Sequence, residues 1–301
     1  MRQTLRSNTT AYLLLLPALA LMAVFTFYPV LYGSYLGFTE YKAVNFALHQ
    51  APRWIGLQNF KDVFADSLFR ISIVNSLKYL VVVPFLQIFA LFVAVLVNRK
   101  LPAISFFRSA YYIPVITSIS LASVMWNWIY QKDGILNWAL ESLHLLDPKN
   151  AWGWLNSSDT ALWAIMLVTF WRGFGYYMVL YLGGLQAIPT ELEEAAMLDG
   201  ATPLQTFTRI IIPMMRPTIL LCSLLSTLAA IKVLEDVLVF TNGGPLNSTY
   251  TALMYVYDKA LRGFNFDYGK ASAAGLVVAV IGFFLSYLNF RITREGGGSR
   301  S

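Results

Sequence analysis

Apolar residues in this chain do not alternate with polar ones; they come in long unbroken runs parted by short polar intervals. Six runs, approximately 11–36, 71–97, 109–130, 161–182, 218–240 and 271–290, are long enough to cross ~30 Å of hydrocarbon as helices, which takes about 20 residues. The pattern predicts an all-α, polytopic membrane protein with six transmembrane helices. The first run carries 26 residues without a charge, well beyond the ~7–15 residue core of a cleaved signal, so it is expected to stay as a span. Pro17, Pro29, Pro84 and Pro114 fall inside runs and predict kinks, which membrane helices tolerate where neighbours or water satisfy the freed carbonyls.

The longest polar interval with internal order is 183–217. Thr190 after Pro189 is placed to cap a helix with Glu193 three residues on, and Glu191, Glu193 and Glu194 suit the positive end of its dipole. Gly200 supplies the stop. A second start follows at Thr202, with Pro203 at the first helical position, where a missing N–H costs nothing, and the run is expected to end at Pro213. Isolated helices this short are marginal in water, so the first must dock on something. Leu192, Ala195, Ala196 and Asp199 share one face at helical spacing, and the two alanines permit close approach. The residues alone leave open whether that surface belongs to the chain's own bundle or to another protein.

Composition agrees with a bilayer. Hydrophobic residues make up 57%, charged residues 13%, and the mean hydropathy is +0.57, against a charged share of ~25% in soluble domains. The net charge of +6 comes without a basic block, so it reads as membrane-edge Lys and Arg rather than nucleic-acid binding. Segments 1–10, 98–108, 183–217 and 291–301 carry ten Lys and Arg in 67 residues with five acids; segments 37–70, 131–160 and 241–270 carry nine in 94 with nine acids. The denser positive set is expected in the cytoplasm, with both termini. Trp126, Trp128 and Tyr130, like Tyr111 and Tyr112, sit where interfacial aromatic belts are expected. Cys222 reads as a buried thiol, and the glycine-rich tail 296–301 as disordered.

Charges inside spans are costly and stand out as functional candidates. Lys232, Glu235 and Asp236 cluster on the fifth run, where Lys232 and Asp236, one helical turn apart, are placed to neutralise each other. Arg172 on the fourth run reads as a packing partner before a gate, and Lys78 as a snorkelling cation. Trp126, Asn127 and Tyr130 combine aromatic platforms with a polar group, and Tyr176, Tyr177 and Tyr181 are equally open between ligand contact and packing. His49 and His144 have no partner at metal-ligand spacing. There is no GxSxG elbow and no phosphate loop, the nearest approach at Gly263–Lys270 having the wrong glycine spacing. No catalytic residue, metal or nucleotide site is therefore expected in this chain.

The spacing Glu194-Ala195-Ala196, Gly200, Ile210, Pro213 resembles the EAA loop of ATP-binding-cassette (ABC) importer permeases, with Ile212 where that family usually has leucine. "GLQAIPTELEEAAMLDGA", "GLQNF" at Gly56–Phe60, "TNGGPLNST" at Thr241–Thr249 and the "LLLLPALALMAVFTFYPVLYGSYLGF" start resemble the carbohydrate-uptake branch of maltose and glycerol-phosphate type. The resemblance implies a type I permease fold whose first short helix is a cytoplasmic coupling helix, with Glu194 contacting an ATPase dimer and Gly200 permitting the turn. It implies further partners: a second, non-identical permease subunit and an extracytoplasmic solute-binding protein seated on 39–70, 131–160 and 241–270. ATP and Mg would be used by the partner ATPase, with no cofactor bound by this chain. It also implies that the fifth and sixth spans help line a sugar path, which assigns Glu235 and Asp236 to translocation. The expected function is import of a sugar, oligosaccharide or glycerol phosphate across a bacterial or archaeal cell membrane by alternating access. The rival is an ion-coupled secondary transporter working through the intramembrane acids.

Overall fold

The computed structural model describes residues 2–98, 103–147, 152–262 and 266–295; Gly263 and the tail 296–301 lie outside them. The chain divides into two compact units, one made of Met1–Asp66 with Val256–Val277 and the other of Ser67–Tyr255 with Val278–Ser301. Among the described residues four helices are long and apolar enough to span a bilayer: Tyr12–Leu36, Ser67–Val97, Ala161–Gln186 and Tyr268–Ile292. Two bent pairs, Ile104–Ile116 with Ile119–Ile129 and Pro203–Met214 with Arg216–Ile231, bring the number to six if each counts as one span.

In the smaller unit every side chain from Tyr12 to Tyr32 is exposed, as expected of apolar surface meant for lipid or a partner rather than for its own core. A π-helical turn at Ala23–Phe27 interrupts this helix just ahead of Pro29, whose missing N–H leaves the Phe25 carbonyl without its helical donor and lets the backbone widen. Beyond it, Thr39 and Glu40 pair antiparallel with Trp54 and Arg53. Buried Asn59 donates to the carbonyls of Gly37 and Thr39 at 3.1 and 2.8 Å, and Gly56 takes φ +63°. These two positions explain the "GLQNF" motif physically: a left-handed glycine for the turn and an amide that closes the loop. Glu40 pairs with Arg53, and Asp62 with Lys270 at 3.1 Å.

The larger unit is centred on Ala161–Gln186, which packs with Val82–Val97 around Ala90, Val93, Met178, Tyr181 and Cys222. A second cluster joins Tyr79, Tyr130, Ile165, Val168, Val233 and Val237. Ser67–Val97 is eased at Leu80 and Val81, where amides bond back three residues because Pro84 lacks the donor and crowds the Leu80 carbonyl.

Two expected spans are not continuous helices. The run 109–130 bends by 97° at Thr117 and Ser118, both extended. Pro114 weakens the turn ahead of the bend, Thr117 Oγ1 takes the Ile113 carbonyl at 2.9 Å, and Ser118 Oγ caps the new helix by accepting from the Leu121 amide. The run 218–240 stops at Ile231 and restarts at Glu235. No proline or glycine lies in the gap; the Thr251 hydroxyl satisfies the freed Val233 carbonyl at 2.9 Å, which makes non-helical backbone tolerable at membrane depth.

The loop after this break, Thr241–Tyr250, holds four residues with positive φ: Asn242, Gly243, Leu246 and Asn247. It is tied down from within the unit. Asn75 donates to the carbonyls of Asn247 and Tyr250 at 3.0 and 3.1 Å, and Thr249 bonds both Thr241 and the Gly244 carbonyl.

Candidate functional site: a charged cavity and an exposed hairpin

Beside the break in the fifth run lies a cavity of about 470 Å³ bordered by Tyr79, Thr169, Arg172, Tyr176, Lys232 and Glu235 among others. Asp236, at the start of Glu235–Phe240, points to the Ala161–Gln186 helix. There Arg172 Nη1 meets its Oδ1 at 3.0 Å and the Thr169 hydroxyl donates to its Oδ2 at 3.3 Å. Thr169 also shares a 2.5 Å hydrogen bond with the hydroxyl of fully buried Tyr79. The Arg172 Nε is buried without a hydrogen-bond partner among the described residues.

The expected Lys232–Asp236 pair is thereby corrected. Helix geometry places residues four apart on one face only if the helix runs through them, and here it breaks between them. Arg172 takes the acid instead, which bears on its reading as a packing partner: the ion pair fastens one helix to another. Lys232 and Glu235 remain exposed at the cavity's edge.

The other expected path residues fall elsewhere. Tyr130 is buried, with its hydroxyl donating to the Ala164 carbonyl at 2.8 Å. Trp126 packs against Tyr130 and Trp171 at 5.2 and 5.6 Å between ring centroids. Asn127 donates to Ser123 O at 2.8 Å and borders a separate cavity with Asn156 and Thr241. The structure thus brings together Glu235, Asp236, Arg172, Lys232 and Tyr176, and leaves Trp126, Asn127 and Tyr130 apart from them. Thr169 and Tyr79 were not singled out in the sequence. Thr169 is three residues from Arg172 on a helix, and that spacing was the available signal; Tyr79 offered none.

The hairpin is a nine-residue helix, Thr190–Leu198, a turn, and a second start at Pro203. Pro189, extended at ψ 130°, occupies the N-cap, so Thr190 is the first helical residue and makes no capping bond; this corrects the expected Thr190–Glu193 box. The second cap is as expected, Thr202 Oγ1 accepting from the Gln205 amide while Gln205 Oε1 accepts from the Thr202 amide. Gly200 sits at φ +78° with open space around a would-be Cβ, so backbone conformation, not crowding, demands glycine. The helical run passes through a π-turn at Phe207–Ile211 and continues past Pro213 to Met214. Pro213 removes the donor for the Arg209 carbonyl, and the turn widens as it does before Pro29.

Exposure separates the residues of the hairpin. Ala196 is 7% exposed and packs inward, whereas Glu194, Ala195 and Asp199 are open to solvent, and Leu198 and Leu204 are 89% and 71% exposed. A short helix with one buried side chain, no side-chain cap and large apolar groups turned outward can be the face of an interface, and lacks the burial to stabilise itself.

Comparison with known proteins supplies the family. The description "binding-protein-dependent transport system inner membrane component" matches residues 80–295. A probable ABC transporter permease of Pyrococcus horikoshii is 31% identical over 92% of this chain and 93% of its own. The lactose transport system permease protein LacF of Rhizobium radiobacter is 30% identical over 96% of this chain and 95% of its own. In fold the chain is similar to one in a crystal structure of a bacterial alginate ABC transporter in complex with alginate pentasaccharide-bound periplasmic protein, with a TM-score of 0.79, 20% identity and coverage of 100% and 99%. The chain therefore belongs to the family of binding-protein-dependent transport system inner membrane components, the multi-pass, non-catalytic permease subunits of ABC transporters.

Proposed function

We propose that the chain is one of two non-identical permease subunits of a carbohydrate importer, with 183–217 in the cytoplasm gripping a separate ATPase dimer that uses ATP and Mg. The observation that carries the reading is the hairpin: capped, held in direction by Gly200, and exposing Glu194, Ala195, Asp199 and Leu198. In this account the ATPase subunits close on ATP, the hairpin passes that motion to the spans, and hydrolysis resets the pathway. Carbohydrate as the solute is supported by the lactose-transporting relative.

The charged cavity is the segment of solute path we assign to this subunit. Lys232 and Glu235 are exposed beside it, and a charge facing hydrocarbon costs ~2.5–3.5 kcal/mol or more. That face is accordingly turned to water or to the second permease. A polar path serves hydroxyl-rich solutes, which lose hydrogen bonds in lipid. Ion coupling through Asp236 has less support, because Arg172 already compensates its charge at 3.0 Å.

The test is Glu194→Lys in the reconstituted transporter, with uptake and receptor-stimulated ATP hydrolysis followed together. Both are expected to fall at least about tenfold, the loss of ~1.4 kcal/mol of coupling, while the permease pair still assembles. Uptake that survives this change, and persists after ATP depletion with an ion gradient intact, would overturn the reading.

A further inference from the structure

Two cavities in the larger unit are not used by the path described above. One, about 490 Å³, is bordered by Asn127, Thr241 and Asn242; the other, about 660 Å³, by Lys132, Trp152, Ser157 and Asp159. Asn156 lines both. Each falls within the ~300–1,000 Å³ range of small-molecule sites.

Trp152 is 45% exposed, yet its position is held by a chain of contacts. Its ring lies 4.9 Å from that of Trp154 at 65°. Trp154 donates its Nε1–H to Asn137 Oδ1 at 2.9 Å, and the Thr160 hydroxyl takes its carbonyl at 2.8 Å. Asn137, fully buried, donates in turn to the carbonyls of Lys132 and Trp152, both at 2.9 Å. An asparagine spent wholly on fixing two loop strands under an exposed indole is support of the kind that keeps a binding group preorganised. Around the indole stand an amide, a carboxylate, a hydroxyl and an ammonium, from Asn156, Asp159, Ser157 and Lys132. A pyranose matches this arrangement: its C–H face packs on an aromatic ring, and its equatorial hydroxyls reach donors and acceptors at the rim.

We propose that this outer-loop vestibule is a second saccharide subsite, which receives a pyranose unit of the solute outside the charged cavity, with Trp152 as platform and Asn156 as the shared hydrogen-bonding group. The proposal rests on the carbohydrate reading and on the placement of 131–160 outside the membrane. Two cavities that share Asn156 as a lining residue fit a solute of more than one ring.

The experiment uses the complete transporter in nanodiscs, labelled with 5-fluorotryptophan, without its receptor. The Trp152 resonance is assigned by its loss in Trp152→Phe, and a panel of neutral and uronate-containing mono- to pentasaccharides is titrated. Import of the same panel by the receptor-supplied wild type is measured in parallel. The expected result is a saturable shift of the Trp152 line with at least one imported sugar, its Kd raised about tenfold by Asn156→Ala. If sugars of the panel are imported and none of them moves the line, the subsite is overturned while the carbohydrate reading stands. A shift produced by the sugar-free receptor alone, with none from sugar, overturns it in favour of a receptor-docking patch. If no sugar of the panel is imported, the carbohydrate reading falls and the subsite with it.

Discussion

Asp236 shows how much one side chain can organise. It receives Arg172 at 3.0 Å and Thr169 at 3.3 Å, and Tyr79 closes the network behind Thr169. The pair is partly shielded, so breaking it costs more than a surface ion pair and less than a fully buried one. We expect Asp236→Asn to lower stability by about 2 kcal/mol, and Arg172→Leu with Asp236→Leu together to recover much of it, since two apolar groups leave no stranded charge. Thermal midpoints of the purified subunit pair measure this; an unchanged midpoint in Asp236→Asn would show that the network carries no load. Asp62 is a different case. A hydrogen bond from Gln58 at 2.7 Å, then Lys270, holds its carboxyl below the usual range. The folded state therefore binds its proton less readily than the unfolded chain does. Its contribution is present above the free carboxylate pKa of about 3.9 and is lost as pH falls through the lowered value. Melting curves of wild type and Asp62→Asn should converge below about pH 4; curves parallel down to pH 3 would contradict the assignment.

At the scale of elements, the hairpin was legible because its stops and starts are local chemistry. Gly200, Thr202 and Pro203 act on the backbone within a turn of themselves, and the structure uses all three as their residue types demand. Thr190 misled because Pro189, extended, already occupies the cap. Gly200→Ala is expected to destabilise the turn by about 1 kcal/mol through φ alone and to reduce receptor-stimulated ATP hydrolysis. Full stimulation in that variant would show that the hairpin's direction is immaterial. The breaks inside spans were less legible. Pro114 announced a kink, but a 97° bend also needed Ser118 to cap a new helix. The break at Lys232–Leu234 had no local breaker in "AAIKVLEDV"; it exists because Thr251 and Arg172, 15 or more residues away in sequence, take up the carbonyl and the carboxylate it presents. Helical spacing therefore gave Asp236 the wrong partner.

For the whole molecule, orientation is the property most open to direct test. Leu198 in the hairpin and Leu246 in the Thr241–Tyr250 loop are 89% and 90% exposed, and Cys222 is a buried thiol, so single cysteines at either site report cleanly. With 183–217 inside, a membrane-impermeant maleimide should label Leu246→Cys in intact cells and Leu198→Cys only after permeabilisation; the reverse pattern would invert the topology. Hydrophobic run length and turn chemistry were enough to read an all-α membrane protein with a capped polar hairpin, because both depend on residues close in sequence. Which acid meets which base, where a span breaks, and which aromatic faces open space rather than core depended on groups brought together from distant segments. A one-dimensional pattern contains no distances of that kind, and only the folded chain supplies them.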